Sequence, residues 1–174
     1  YIGSHTVVEL QNSGYEVVIV DNLSNSRADV VDHIEQITGI RPAFEHVDCL
    51  DYEGMDAVFK KYPGIKGVIH FAASKAVGES VQKPLLYYRN NLVSLINLLE
   101  LMPKHNVGGI IFSSSCTVYG QPDVLPVTEA APIKKAESPY GNTKQVNEEI
   151  VRDTVASGAP INAILLRYFS PIGA

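Results

Sequence analysis

Five short apolar runs, separated by stretches of helical periodicity, constrain this 174-residue chain more than any other feature. Residues 15–20 (YEVVIV), 43–47 (AFEHV), 66–71 (KGVIHF), 109–113 (GIIFS) and 161–167 (INAILLR) read as strands. Around them, 1–12, 27–37, 51–61, 85–102 and 138–156 carry helical spacing. Asp51 is placed to cap the third helix, and Ser138-Pro139 is a natural cap and first-turn pair for the last.

Strands this continuously apolar need cover on both faces, and helical crossovers between successive strands supply it. The expected class is therefore α/β, a Rossmann-type doubly wound parallel sheet. In the common strand order 3-2-1-4-5-6, residues 1–12 form the helix after a first, central strand that this sequence does not contain. The sheet is thus expected to be incomplete at its N-terminus, and the chain poorly stable alone. Tyr1-Ile2-Gly3-Ser4-His5-Thr6 reads as the middle of a motif, so a fragment of a longer protein is expected.

Composition removes several function classes. A net charge of -5 with pI ≈ 5.5 gives no basic footprint for nucleic acid. No apolar run reaches membrane-spanning length, so no membrane partner is expected. The two cysteines, Cys49 and Cys116, lack framework spacing, which makes a reduced, cytoplasmic setting the default. The five histidines are scattered without ligand spacing, and no metal is expected.

Gly3 is placed to close a glycine-rich strand-to-helix turn, where a bare Cα permits close packing and a helix N-terminus faces a pyrophosphate. Any helix-start glycine fits that description. Asp21 strengthens the reading, because it ends the next strand near the spacing at which a carboxylate accepts bonds from an adenosine ribose. A carboxylate there repels a 2′-phosphate, so NAD rather than NADP is the expected cofactor. On spacing alone Asp21 is equally a strand-ending turn residue. Asp48-Cys49 and Phe71-Ala72-Ala73 also follow strands, at the edge where open α/β sheets bind ligands.

Tyr140 and Lys144 lie four apart on a predicted helix, hence on one face. A buried ammonium beside a phenol favours the phenolate, which makes Tyr140 a general acid/base with a lowered pKa. Ser115, ending the fourth strand, is placed to share a hydrogen bond with the same substrate oxygen. Tyr-x-x-x-Lys alone occurs on many solvated helices; the serine-rich strand end and Asp21 give it meaning.

With these residues in hand, the chain resembles the UDP-glucose 4-epimerase family of extended short-chain dehydrogenases/reductases. The matching segments are YIGSHT at 1–6, DNLSNS at 21–26, HFAASKAVGES at 70–80, FSSSCTVYG at 112–120, SPYGNTK at 138–144 and RYFSPIGA at 167–174. The resemblance implies NAD-dependent interconversion of UDP-glucose and UDP-galactose in galactose metabolism. It marks residues 1–174 as a partial NAD-binding Rossmann domain without its C-terminal substrate domain.

Carried over, it assigns Tyr1, Ile2, Gly3, Asp21, Asn22, Asn25, Ser26, Asp48, Cys49, Phe71, Ala72, Ala73, Lys75, Asn90 and Phe169 to the NAD site. Ser115, Tyr140 and Lys144 are the catalytic group and also touch NAD; Lys75, Ser115, Tyr140 and Ser170 meet the substrate. Ser170 stands where relatives commonly carry Asn, and Ala73 where they carry Gly. Related 4,6-dehydratases need an Asp-Glu pair after the strand-end hydroxyl, which Cys116-Thr117 cannot replace. A UDP-glucuronate epimerase and a catalytically inactive fragment stay open. Helices 85–102 and 138–156 carry more apolar residues than one sheet face needs; the resemblance implies that they pair into a homodimer, and burial within the monomer is the alternative reading.

Overall fold

The computed structural model describes residues 1–172; Gly173 and Ala174, the end of the RYFSPIGA segment, lie outside the described residues. Five strands alternate with six helices: α1 (Ile2–Asn12), β1 (Val18–Val20), α2 (Val30–Thr38), β2 (Ala43–Glu45), α3 (Tyr52–Lys61) and β3 (Gly67–His70) come first. Then follow α4 (Val77–Gln82), α5 (Pro84–Lys104), β4 (Gly109–Ser115), a 3-10 turn (Cys116–Tyr119), α6 (Pro139–Ala156) and β5 (Asn162–Tyr168). The expected caps are in place. Asp51 accepts from Gly54 N at 3.0 Å and Ser138 Oγ from Gly141 N at 3.1 Å.

Every strand pair is parallel, and the sheet is in two parts, β1-β2 and β3-β4-β5. No ladder joins β1 to β3 among the described residues, which is the doubly wound order with its central position unpaired. One apolar core spans both parts. Met55 and Phe59 of α3, Leu95, Leu98 and Met102 of α5, Ile110 and Phe112 of β4 and Val151 of α6 form it, and Val20 and Val47 pack against it. Asn97 of α5 also donates to Cys49 O at 2.9 Å, tying that helix to the segment between β2 and α3.

Three expectations need correction. β1 covers only 18–20; Tyr15, expected inside it, is exposed, and Tyr15 N closes the turn after α1 on Leu10 O at 2.9 Å. β5 is covered on one face only: Ala163 and Leu165 meet the core, whereas Ile164 and Leu166 lie on the exposed side. Helix α4 was not expected. It is too short to show a period, and Tyr87 fixes it, its hydroxyl accepting from Ala76 N at 3.0 Å and donating to Glu79 at 2.9 Å. No described helix is long and apolar enough to cross a membrane.

Candidate active site

Ser115 is the last residue of β4, and its Oγ accepts from Thr117 N at 3.2 Å, starting the 3-10 turn. Tyr140 stands in the first turn of α6, immediately after Pro139, and Lys144 one turn on. Lys144 is buried, its Nζ donating to Ser113 O at 2.7 Å and lying 4.8 Å from the Phe112 ring centre and 5.9 Å from that of Tyr140. Desolvation lowers its pKa to about 8.

The phenol behaves otherwise than the sequence suggested. Burial pushes Tyr140 above the usual phenol value, a hydrogen bond with Ser115 pulls it back, and Cys116 beside it adds to the rise. The expected lowering by Lys144 is absent because that ammonium is turned to the Ser113 carbonyl and is itself half-way to neutrality near pH 8. As folded, Tyr140 is a proton donor at neutral pH. Deprotonating it needs further positive charge brought by a ligand.

A buried carboxylate holds these elements in register. Glu148, one turn beyond Lys144, is 2% exposed; Oε1 accepts from Ser114 Oγ at 2.6 Å and Arg167 Nε at 2.9 Å. Oε2 accepts from Arg167 and Arg152, each at 2.7 Å. Arg167 also donates to Tyr119 Oη at 2.8 Å. One charge thus ties α6 to the residue before Ser115, to β5 and to the 3-10 turn. Burial raises the Glu148 pKa, but its bonds to Arg167 and Ser114 outweigh this and hold the carboxyl below its usual range.

A cleft of about 450 Å³ opens over this group. Of the residues expected in a ligand site, Tyr1, Ile2, Gly3, Phe71, Ala73, Lys75, Ser115, Tyr140, Lys144 and Ser170 line it. α1 begins there without a side-chain cap, so its first amides are open to an anionic group. A Cβ on Gly3 would meet the Phe71 ring at 3.5 Å, ordinary contact.

The remaining expected residues lie off the cleft wall. Several form a second polar cluster beyond β1 and β2. Asp21 Oδ1 accepts from Leu23 N and Ser26 Oγ, both at 2.7 Å, and Asn22 donates to Asp48 at 2.9 Å. Asn25 beside them is exposed. Burial, with Asp48 and Asp21 nearby, pushes the Cys49 thiol up to about 11. Ala72 is exposed; Asn90 donates to Ser74 Oγ at 3.1 Å. Phe169 packs on Tyr119 with ring centres 6.0 Å apart and is over half exposed.

The structure adds residues that the sequence did not single out. Tyr168 lines the cleft. Buried Asn91 accepts from Ser74 N at 2.8 Å and donates to Ser74 O and Thr143 Oγ1 at 3.0 Å, pinning the loop after β3 to α6. An Asn within a helix gives no sequence signal for that role, since the partners are remote. Among the described residues no group of three or more His, Cys, Asp or Glu is placed to hold a metal ion.

Known proteins resemble the chain over its whole length. The chain is 51% identical over 174 residues to the UDP-glucose 4-epimerase of Dictyostelium discoideum and 52% to that of Bacillus subtilis, all of it aligned in each case. It spans about half the length of these curated relatives, 50% and 51% respectively. The crystal structure of UDP-glucose 4-epimerase from Bifidobacterium longum in complex with NAD+ and UDP superposes with a TM-score of 0.97. At 48% identity, that match covers all of this chain and 52% of the other. The family model for NAD dependent epimerases/dehydratases matches residues 1–174, the whole chain with its Ser115–Tyr140–Lys144 cleft, and the chain belongs to that family.

Proposed function

We propose that this chain is the NAD-binding half of an enzyme that interconverts UDP-glucose and UDP-galactose at C4 of the sugar. The observation that carries this reading is one cleft holding Ser115, Tyr140 and Lys144 beside the uncapped start of α1. The relatives' names and the ligands of the Bifidobacterium structure support the substrate and cofactor.

The residues present fit NAD. Ile2 and Gly3 offer amides to the pyrophosphate, and Asp21 keeps Oδ2 without a partner among the described residues for the adenosine ribose. Asn22, Asn25, Ser26, Asp48 and Cys49 border the adenosine end, and Phe71, Ala72, Ala73, Lys75, Asn90 and Phe169 the rest. When bound, NAD⁺ would supply the hydride acceptor and donor and a positive charge.

Tyr140 Oη takes the proton of the sugar 4-hydroxyl and later returns it; Ser115 Oγ holds the same oxygen. Lys144 orients the nicotinamide ribose. Between the two proton transfers the 4-keto sugar turns to present its other face. Lys75 and Ser170, which line the cleft, meet the substrate in this reading. Cys116 and Thr117 line it as well, and among the described residues no carboxylate does, which suits epimerisation rather than loss of water.

The surroundings extend the reading. Leu85, Leu86, Val93 and Ile96 are exposed along α5, and a homodimer through α5 and α6 would cover them. The expected setting is the cytoplasm. The test is to denature the purified protein carrying this chain at its natural length, assay released NAD, and follow UDP-galactose conversion by a coupled assay. NAD release and UDP-glucose formation are expected; absence of either refutes the reading.

A further inference from the structure

Lys75 lines the cleft from a segment, residues 71–76, that is neither strand nor helix. Lys144, the other lysine on the cleft wall, is turned to Ser113 O at 2.7 Å. Lys75 is exposed, and its ammonium has no partner among the described residues. Such a side chain on an irregular segment would ordinarily sample many positions.

This segment is held from the inside. Ala76 N donates to Tyr87 Oη at 3.0 Å. Ser74 N donates to Asn91 Oδ1 at 2.8 Å, and Ser74 O accepts from Asn91 Nδ2 at 3.0 Å. The residues immediately before and after Lys75 are thus fixed by two side chains of α5, four apart and so on one face. Both are buried, at 0% and 1% exposure for Tyr87 and Asn91. The Lys75 backbone makes no bond of its own among the described residues, so its placement depends on these neighbours.

Tyr87 is needed here for its hydroxyl. Phenylalanine would fill the same space, and burying a hydroxyl is unfavourable unless it is bonded. Oη both accepts from Ala76 and donates to Glu79 Oε2 at 2.9 Å, in the first turn of α4. One phenol therefore joins the end of the cleft segment to the helix that follows. Asn91 holds the other side and also donates to Thr143 Oγ1 at 3.0 Å, whose hydroxyl donates to Tyr140 O at 2.7 Å. The backbone before Lys75 and the backbone at Tyr140 share that anchor.

We propose that Tyr87 is a positioning residue: its hydroxyl, with Asn91, holds the backbone on either side of Lys75 so that the ammonium is presented to a phosphate of the bound nucleotide. The reading above brings NAD and a UDP-sugar to this cleft, and the inference rests on it. Order fixed on folding is not lost again on binding, so the clamp acts on affinity rather than on the proton transfer at Tyr140.

The test is a double-mutant cycle in the full-length protein. Lys75→Met removes the charge, and Tyr87→Phe removes only the hydroxyl. Each variant is read by KM for UDP-galactose, by kcat per bound NAD, and by the NAD retained after gel filtration. Lys75→Met is expected to raise KM or to lower retained NAD; the first marks a UDP-sugar phosphate and the second a cofactor phosphate. Tyr87→Phe is expected to change the same quantity in the same direction by up to about 10-fold, the scale of one lost hydrogen bond, with kcat within about 2-fold. The combined variant is expected to match Lys75→Met, because no ammonium is left to position. Effects that add, no change in either single variant, a fall in kcat alone, or loss of the fold in Tyr87→Phe would each overturn the proposal. A parent protein that carries no NAD and converts no UDP-galactose fails the proposed function first, and this inference with it.

Discussion

Replacing Lys144 by Met should stabilise the folded protein while removing its activity, and the size of the effect follows from burial. Lys144 is 4% exposed, and desolvation lowers its pKa from 10.5 to about 8. That difference means the folded state disfavours the charged amine by about 3 kcal/mol. Methionine has similar length and no charge to desolvate. Its cost is the lost bond to Ser113 O, about 1 kcal/mol, which leaves a net gain of about 2 kcal/mol near pH 7.

The pH dependence carries the sign. Because the folded state binds this proton less tightly than the unfolded chain, the penalty is full below the folded pKa of about 8 and is gone above 10.5. Stability of the parent protein from this group therefore rises across that window, whereas Lys144→Met has no such slope. Urea unfolding of both proteins, cofactor-free, at pH 6.5, 8 and 9.5 measures it. The advantage of Lys144→Met is expected to shrink steadily and to approach zero by about pH 9.5. A difference independent of pH, or a variant less stable than its parent at pH 6.5, would show that the ammonium is not paying for burial and would refute the reasoning.

Three further outcomes are expected. Tyr140→Phe should lower kcat of the full-length protein by at least about 100-fold with NAD still released on denaturation, because it removes only the proton that moves. Glu148→Leu should cost about 3 kcal/mol in urea unfolding at pH 7, since it leaves Arg167 and Arg152 without their shared carboxylate. The Glu148 carboxyl is held below its usual range, so this contribution is present at neutral pH and is lost as pH falls through the folded pKa; parent and variant should converge in acid. Gly120→Ala should cost about 2 kcal/mol, read as a fall in Tm, because Gly120 has φ +60° and a Cβ would sit 2.6 Å from Lys135 O.

The sequence by itself determined the α/β alternation, the parallel order and the group at the strand ends. These are local or topological facts. Asp51 and Ser138 cap because each stands three residues before an amide that needs an acceptor, and Tyr140 and Lys144 share a face because a helix turns once in about 3.6 residues. The tertiary structure decided what depends on distant neighbours: where β1 begins, that β5 shows one face to solvent, and that Asn91 holds a loop against α6. It also decided the proton chemistry. Spacing put Lys144 beside Tyr140, but desolvation and the Ser113 carbonyl set where the ammonium points and how readily it loses its proton. Charge energies follow surroundings rather than residue order, so the same two side chains read as a lowered phenol in sequence and fold as a raised phenol beside a lowered amine.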